Sequence, residues 1–312
     1  MKCLNLSLHA PHVPQPQLLH GQPSQSERLN NWVQGSLTLG TDLSTKFGMI
    51  GGGMMGEALL SRLVVEQVYL PDDMVVSEPQ VKRQEFLAQQ YGVQVTGENR
   101  LAANAIEVLF LAIKPQVFEQ VAVSLSAHDR HPATLVISIL AGTPLKTLES
   151  AFPGQPVIRA MPNTPAAVGA GITAIAAGQH AQAHHLELAR RILETVGEVV
   201  EVPESMMDAV TGLSGSGPGY VALMIEALAD GGVAAGLPRA IAMKLALQTV
   251  RGTAQLLQEE GIHPGELKDR VTSPGGTTIA GIAALEKSGF RSAVIEAVRA
   301  AWMRSKELGQ KS

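Results

Sequence analysis

The chain has 312 residues, 45% of them hydrophobic and 17% charged, which allows one or two ordinary cores and excludes a fibrous or wholly disordered polymer. A formal net charge of −4 with no Lys/Arg block leaves nothing to neutralise phosphates along a duplex, so no nucleic-acid partner is expected. A single cysteine, Cys3, rules out an intrachain disulfide and a thiolate zinc site and fits a reducing, cytoplasmic setting, and no apolar run approaches the roughly 20 residues of a membrane span.

Residues 1–45 are punctuated by Pro11, Pro14, Pro16 and Pro23 among Gln, Ser, His and Leu, without sustained periodicity, and are read as a disordered tail. The stretch has few arginines and no continuous apolar h-region, so a flexible extension or an upstream start codon is favoured over a targeting peptide.

From Lys46 short β-rich runs alternate with helical segments, the order of a parallel sheet covered on both faces. Strands are predicted at Phe47–Ile50, Met74–Ser77, Val93–Val95, Val108–Ala112, Leu135–Ile139, Val157–Ala160 and Ile172–Ala176. A helix follows over Ala181–Thr195 and a last strand over Glu198–Val202. This α/β domain, residues 46–202, reads as a Rossmann-like, NAD(P)H-binding unit, because Ile50 leads into Gly51-Gly52-Gly53-Met54-Met55-Gly56, a G-x-G-x-x-G between a strand and a helix. Gly51 suits the tight turn, Gly53 a close approach to pyrophosphate, and Gly56 close helix–strand packing.

Glu78 follows the second strand, where an acid accepts the ribose hydroxyls, and by that logic NADH is favoured. Ser77, Lys82 and Arg83 stand close enough in sequence to hold a 2′-phosphate instead, which leaves NADPH open. Ala112-Ile113-Lys114-Pro115 and Ile139-Leu140-Ala141 end later strands at the edge where doubly wound sheets bind ligands, and Asn163 lies in a proline-stiffened loop at the same edge.

After Pro203 the β signal fades, and residues 203–312 read as an all-α domain with helices through Ser205–Ala235, Pro238–Glu260 and Ser292–Glu307. Segment 219–235 is apolar nearly all round, so other helices or a second subunit must cover it. Gly231 and Gly232 are helix faults or close-contact points, while Gly236-Leu237-Pro238 ends one helix and starts another. Within this domain Thr272-Ser273-Pro274-Gly275-Gly276-Thr277-Thr278 forms a Gly-rich, hydroxyl-rich turn before a helix marked by Ile279, Ile282 and Leu285. The free N–H groups at such a start attract a carboxylate, with helix capping by Ser or Thr as the alternative use of the hydroxyls.

No H-E-x-x-H, C-x-x-C or nucleophile elbow is present, and His180 and His184 lack the glutamate of a helical metal pair, so neither hydrolysis nor a metal is expected. What remains is hydride transfer beside a carboxylate site.

The turn and its flanks, Pro264 to Val271 and Ala280 to Glu286, resemble the signature of the pyrroline-5-carboxylate reductase family. The resemblance runs over residues 46–309 and includes the cofactor turn, the Lys-Pro and Asn-Thr-Pro loops and Leu213-Ser214-Gly215-Ser216-Gly217-Pro218. It implies reduction of the cyclic imine 1-pyrroline-5-carboxylate to L-proline, the last step of proline biosynthesis, by hydride from NAD(P)H. Thr278 would be the catalytic hydroxyl, and Ser273, Gly276, Thr277 and Thr278 would hold the imine's carboxylate. Ile113, Lys114, Pro115, Ile139, Ala141 and Asn163 would line the nicotinamide half of the cofactor, and Asn99 would lie near the adenosine ribose. Members commonly use NADPH with a small hydroxyl residue where Glu78 stands. The resemblance further implies a homodimer through interlocked helical domains, dimers assembling into larger rings, and a site shared between sheet and helical residues. Two other readings are a β-hydroxyacid dehydrogenase, which would carry K-x-x-N where Lys244 is followed by Leu245, Ala246 and Leu247, and a non-catalytic NAD(P)H-binding redox sensor.

Overall fold

The computed structural model describes residues 45–125 and 130–309; nearly all of the expected disordered tail lies outside them. Eight strands form one sheet in the order β3-β2-β1-β4-β5-β6-β7-β8, with β1 at Phe47–Ile50, β2 at Met74–Ser77, β3 at Gln94–Thr96, β4 at Val108–Leu111, β5 at Leu135–Ser138, β6 at Val157–Met161, β7 at Gly171–Ala177 and β8 at Gly197–Glu201. Pairing is parallel from β3 across to β6, and only the β6–β7 step is antiparallel. The order 3-2-1-4-5-6 is that of a dinucleotide-binding sheet, whose ligand crevice lies outside the carboxyl ends of the strands where the order reverses, between β1 and β4.

Period-two alternation assigns the side chains to two cores. Phe47, Met49, Met74, Val76, Val108, Phe110, Leu135 and Ile137 point to one face, where α1 (Met54–Val65), α2 (Val81–Tyr91) and α6 (Ala183–Glu194) cover them with Leu59, Leu60, Leu63, Leu87, Ile192 and Leu193. Ile50, Val75, Leu109, Leu111 and Val136 point the other way onto α3 (Asn99–Ala103), α4 (Phe118–Ser124) and α5 (Leu145–Ala151), through Ala102, Ala103, Phe118, Leu145 and Leu148. Strands buried on both faces must be apolar throughout, which is why these runs read as continuous in the sequence.

The predicted helix over Ser205–Ala235 is not continuous. It divides into α7 (Met207–Val210), a π-turn over Thr211–Gly215, and α8 (Gly217–Ala234). Thr211 and Ser214 each donate their hydroxyl to the carbonyl four residues back, Met207 O and Val210 O, and such back-bonding competes with the regular ladder. Next come α9 (Arg239–Glu260), α10 (Pro264–Arg270), α11 (Thr277–Lys287) and α12 (Phe290–Gly309). Gly232 is a close-contact point, where an added Cβ would come 3.0 Å from the Ala242 Cβ, and Gly236 ends α8 with φ +100°. Among the described residues of this helical part, Ala229, Ala242 and Ala246 form a small buried apolar cluster, with Ile225, Val233 and Met243 partly buried against it.

Candidate functional site

Five carboxyl ends share one edge of the sheet because β1, β2, β4, β5 and β6 all run parallel. There the structure brings together the Gly51–Gly56 turn after β1, Ser77 and Glu78 after β2, Ala112–Pro115 after β4, Ile139–Ala141 after β5 and Asn163 after β6. Gly51 has φ +104°, and an added Cβ there would meet the Ala112 carbonyl oxygen at 2.5 Å; one at Gly56 would meet the Gly51 carbonyl oxygen at 2.4 Å. Both positions therefore require glycine on this backbone. Gly53 differs, since a Cβ there would meet nothing within 4 Å, so the backbone is open for a ligand to approach. Gly53 is also the N-cap of α1 and no side chain caps it, which leaves first-turn N–H groups for an anion. These features fit the pyrophosphate of a dinucleotide. Met54 stands out at the lip, 86% exposed, while Met55 packs against the core.

Glu78 is buried, with 6% of its surface exposed. Its Oε2 accepts the Gly52 N–H at 3.0 Å and its Oε1 the Gln80 N–H at 3.0 Å. Beside it the buried Ser77 donates its hydroxyl to Asn99 Oδ1 at 2.7 Å, so the two residues expected at the adenosine half are joined. Arg83 points at the glycine turn: its Nε donates to Gly52 O at 2.7 Å, its Nη2 pairs with Glu57, and its guanidinium lies 5.0 Å from the Phe86 ring centre. Tyr91 donates its hydroxyl to the other Glu57 oxygen at 2.8 Å. Burial by itself would lift the Glu57 carboxyl, but the hydrogen bonds from Arg83 and Tyr91 and the Arg83 charge outweigh it and hold the group below its ordinary value. Burial, and then the bond to Glu57, push the Tyr91 hydroxyl up to about 12. Lys82 lies on the exposed face of α2.

At the edge expected to take the nicotinamide, Ile139 is half-buried and Lys114 and Ala141 are exposed. Asn163 spends both ends of its amide on the protein, with Oδ1 accepting the Ile172 N–H at 3.0 Å and Nδ2 donating to Ser214 O at 3.2 Å. It thereby fastens the loop after β6 to the π-turn, a link between residues 51 positions apart. The Gly215 side of that turn rests on Met161 at the end of β6.

The hydroxyl-rich turn is built locally. Gly276 N–H donates to Ser273 O at 3.0 Å, and Gly275 has φ +67°, so Pro274 and Gly275 occupy the central positions of a type II turn. Gly276 is the N-cap of α11, and no side chain caps the helix. Capping thus does not occupy Ser273, Thr277 or Thr278, of which Thr277 and Thr278 are the first two residues of this eleven-residue helix. Among the described residues no hydrogen bond connects this turn to the sheet. His184 and His185 stack on each other at 3.8 Å, and no group of three metal-ligating side chains occurs among the described residues.

The reach of Asn163, and the Arg83–Glu57–Tyr91 cluster, were not legible as a unit beforehand. Their members lie 26 to 51 positions apart and on different elements.

Comparison with known proteins places this geometry. Residues 204–308 match the family described as pyrroline-5-carboxylate reductase dimerisation, and residues 46–142 match the family described as NADP oxidoreductase, coenzyme F420-dependent. A pyrroline-5-carboxylate reductase of Synechocystis is 60% identical over 269 residues, spanning 86% of this chain and 100% of the relative. One of Arabidopsis thaliana is 41% identical over 86% of this chain and 96% of its own length. Among solved structures, a pyrroline-5-carboxylate reductase of Coxiella burnetii superposes with a TM-score of 0.77 at 34% identity, covering 85% of this chain and 98% of that one. The Plasmodium falciparum enzyme, solved with NADP bound, gives 0.76 at 30% identity over 85% and 98%.

Proposed function

The chain belongs to the pyrroline-5-carboxylate reductase family, and from that membership we propose how its own residues divide the work. It reduces 1-pyrroline-5-carboxylate to L-proline with NAD(P)H, the final step of proline biosynthesis. When bound, the nicotinamide supplies the hydride. The observation that carries our assignment is the uncapped start of α11 behind a type II turn, with Ser273 in the turn and Thr277 and Thr278 as the first two helix residues. Ser273, Gly276 and Thr277 hold the substrate carboxylate there, in the field of the helix N-terminus. Thr278 directs its hydroxyl to the ring nitrogen, orienting the imine and passing it a proton as the carbon is reduced.

Residues 46–202 carry the dinucleotide, with Ile50 to Gly56 at the pyrophosphate, Ser77, Glu78 and Asn99 at the adenosine half, and Ala112, Ile113, Lys114, Pro115, Ile139, Ala141 and Asn163 around the nicotinamide half. We assign NADH as the preferred donor. Ser77 and Arg83, two of the three groups suited to a 2′-phosphate, already serve Asn99 and the glycine turn, and the buried Glu78 carboxylate accepts a ribose hydroxyl far better than it tolerates a phosphate.

Residues 203–312 form the homodimer, and dimers join into a ring. Leu223 and Ile295 are 67% and 63% exposed along a groove of about 820 Å³ between α8 and α12, lined also by Val221, Met224, Val294 and Val298; a second chain's helices fill it. The reaction proceeds in the cytoplasm, as the single-cysteine composition suits. Initial rates of NADH and NADPH oxidation with pyrroline-5-carboxylate, with proline identified as product, test the reading. Faster turnover with NADH is expected, and turnover with NADPH alone overturns the donor assignment.

A further inference from the structure

The second residue of the glycine turn is held from both sides. Its N–H is bound by Glu78 and its carbonyl by Arg83, at 3.0 and 2.7 Å. The N–H lies in the Gly51–Gly52 peptide plane and the carbonyl in the Gly52–Gly53 plane, so Glu78 pins the first and Arg83 the second; the Gly53 N–H, which shares its plane with the Gly52 carbonyl, keeps its direction before any ligand arrives. Glu57 stands in the first turn of α1, the place where a pyrophosphate is expected. Left alone, that carboxylate would repel the phosphates, but Arg83 pairs with it and Tyr91 donates to it. Arg83 is itself kept in place by the face of Phe86.

We propose that Arg83 is a positioning residue of the phosphate turn, which fixes the Gly52–Gly53 peptide through its carbonyl and masks Glu57, and that it is not a ligand of a 2′-phosphate. The proposal rests on reading Gly51–Gly56 as the pyrophosphate site. The two roles differ in what they do to the two nucleotides. A 2′-phosphate ligand matters for NADPH alone, whereas a residue that shapes the pyrophosphate site matters equally for NADH and NADPH.

The test is direct titration of the full chain with NADH and with NADPH, followed by nucleotide fluorescence, for wild type, Arg83→Gln, Arg83→Lys, Arg83→Gln with Glu57→Gln, and Gly53→Val. Arg83→Gln is expected to raise both dissociation constants by a similar factor, about tenfold, as for loss of a hydrogen bond to a charged group, with the effect on KM exceeding that on kcat. Adding Glu57→Gln is expected to restore part of that loss, because it removes the unmasked charge. Arg83→Lys, which keeps the cation, covers the case in which Arg83→Gln does not fold, and should weaken both nucleotides to a lesser degree. Weakening confined to NADPH, no weakening of either, or no recovery in the double variant each overturn the proposal. Gly53→Val is expected to abolish binding of both nucleotides; if it binds as wild type does, the pyrophosphate reading itself fails and the proposal with it.

Discussion

Thr278 is the residue on which the chemistry is assigned, and it stands at the second position of α11 with its hydroxyl unspent on capping. Thr278→Ala is expected to lower kcat by about a hundredfold, the scale of a lost proton-transfer partner, while the KM for nucleotide stays near its original value. Parallel loss of thermal stability and activity would show a structural role instead. Glu78→Ser removes a buried negative charge from the place proposed for the ribose and is expected to move the ratio of kcat/KM for NADPH over NADH upward by about tenfold or more; an unchanged ratio would show that the carboxylate does not reach the ribose. Tyr91 gives a pH signature. Burial, and then the bond to Glu57, push its hydroxyl up to about 12 from an ordinary 10, so the protonated phenol contributes stability that is complete below 10 and is lost as the pH rises toward 12. Tyr91→Phe should therefore flatten the alkaline decline in melting temperature across that window. Glu57 acts at the other end: its lowered carboxyl contributes stability above its unfolded value of about 4.5 that disappears in more acid solution.

At the scale of elements, the glycine turn and the strands before and after it were legible because a buried parallel strand is apolar throughout and the turn motif is local. The antiparallel β7 was not, since a run such as Ile172–Ala176 carries no mark of direction, and the extra strand pairing is decided by the partner it finds. The π-turn was equally hidden: Thr211 and Ser214 are ordinary helix residues until their hydroxyls turn back on Met207 O and Val210 O. The hydroxyl-rich turn before α11 was readable from Pro274 and Gly275, but that Gly276 would cap the helix, leaving the threonines unspent, required the structure. π-turns concentrate near functional sites, and this one is tied to the end of β6 through Asn163 and packing on Met161. Asn163→Ala is expected to increase amide hydrogen exchange over residues 211–216 and to lower kcat/KM for the imine by about tenfold, the cost of a lost bridging amide. Unaltered exchange with reduced nucleotide binding would instead mark Asn163 as a direct nucleotide contact.

For the whole molecule, the decisive expectation is that each reaction site takes its sheet edge from one subunit and its α11 turn from the other. Mixing and refolding Gly53→Val chains with Thr278→Ala chains tests this. In a shared arrangement each mixed dimer has one site with both parts intact, so about a quarter of wild-type activity returns, half the dimers being mixed and half their sites sound. If each site lies within one chain, every site retains a defect and the mixture stays inactive. The helical face was foreseeable as apolar on all sides, but which chain it meets is not written in periodicity.

The alanine cluster of α8 and α9 has a kinetic meaning. Ala229, Ala242 and Ala246, with Ile225, Val233 and Met243 only partly buried against them, set little apolar area against the entropy of ordering the forty residues of α8 and α9. On the dimer proposed above, the sheet half is expected to mature at a rate indifferent to dilution while the helical half waits for an encounter. The final stage of assembly is then expected to be second order and the apparent melting point to rise with protein concentration, as mass action requires.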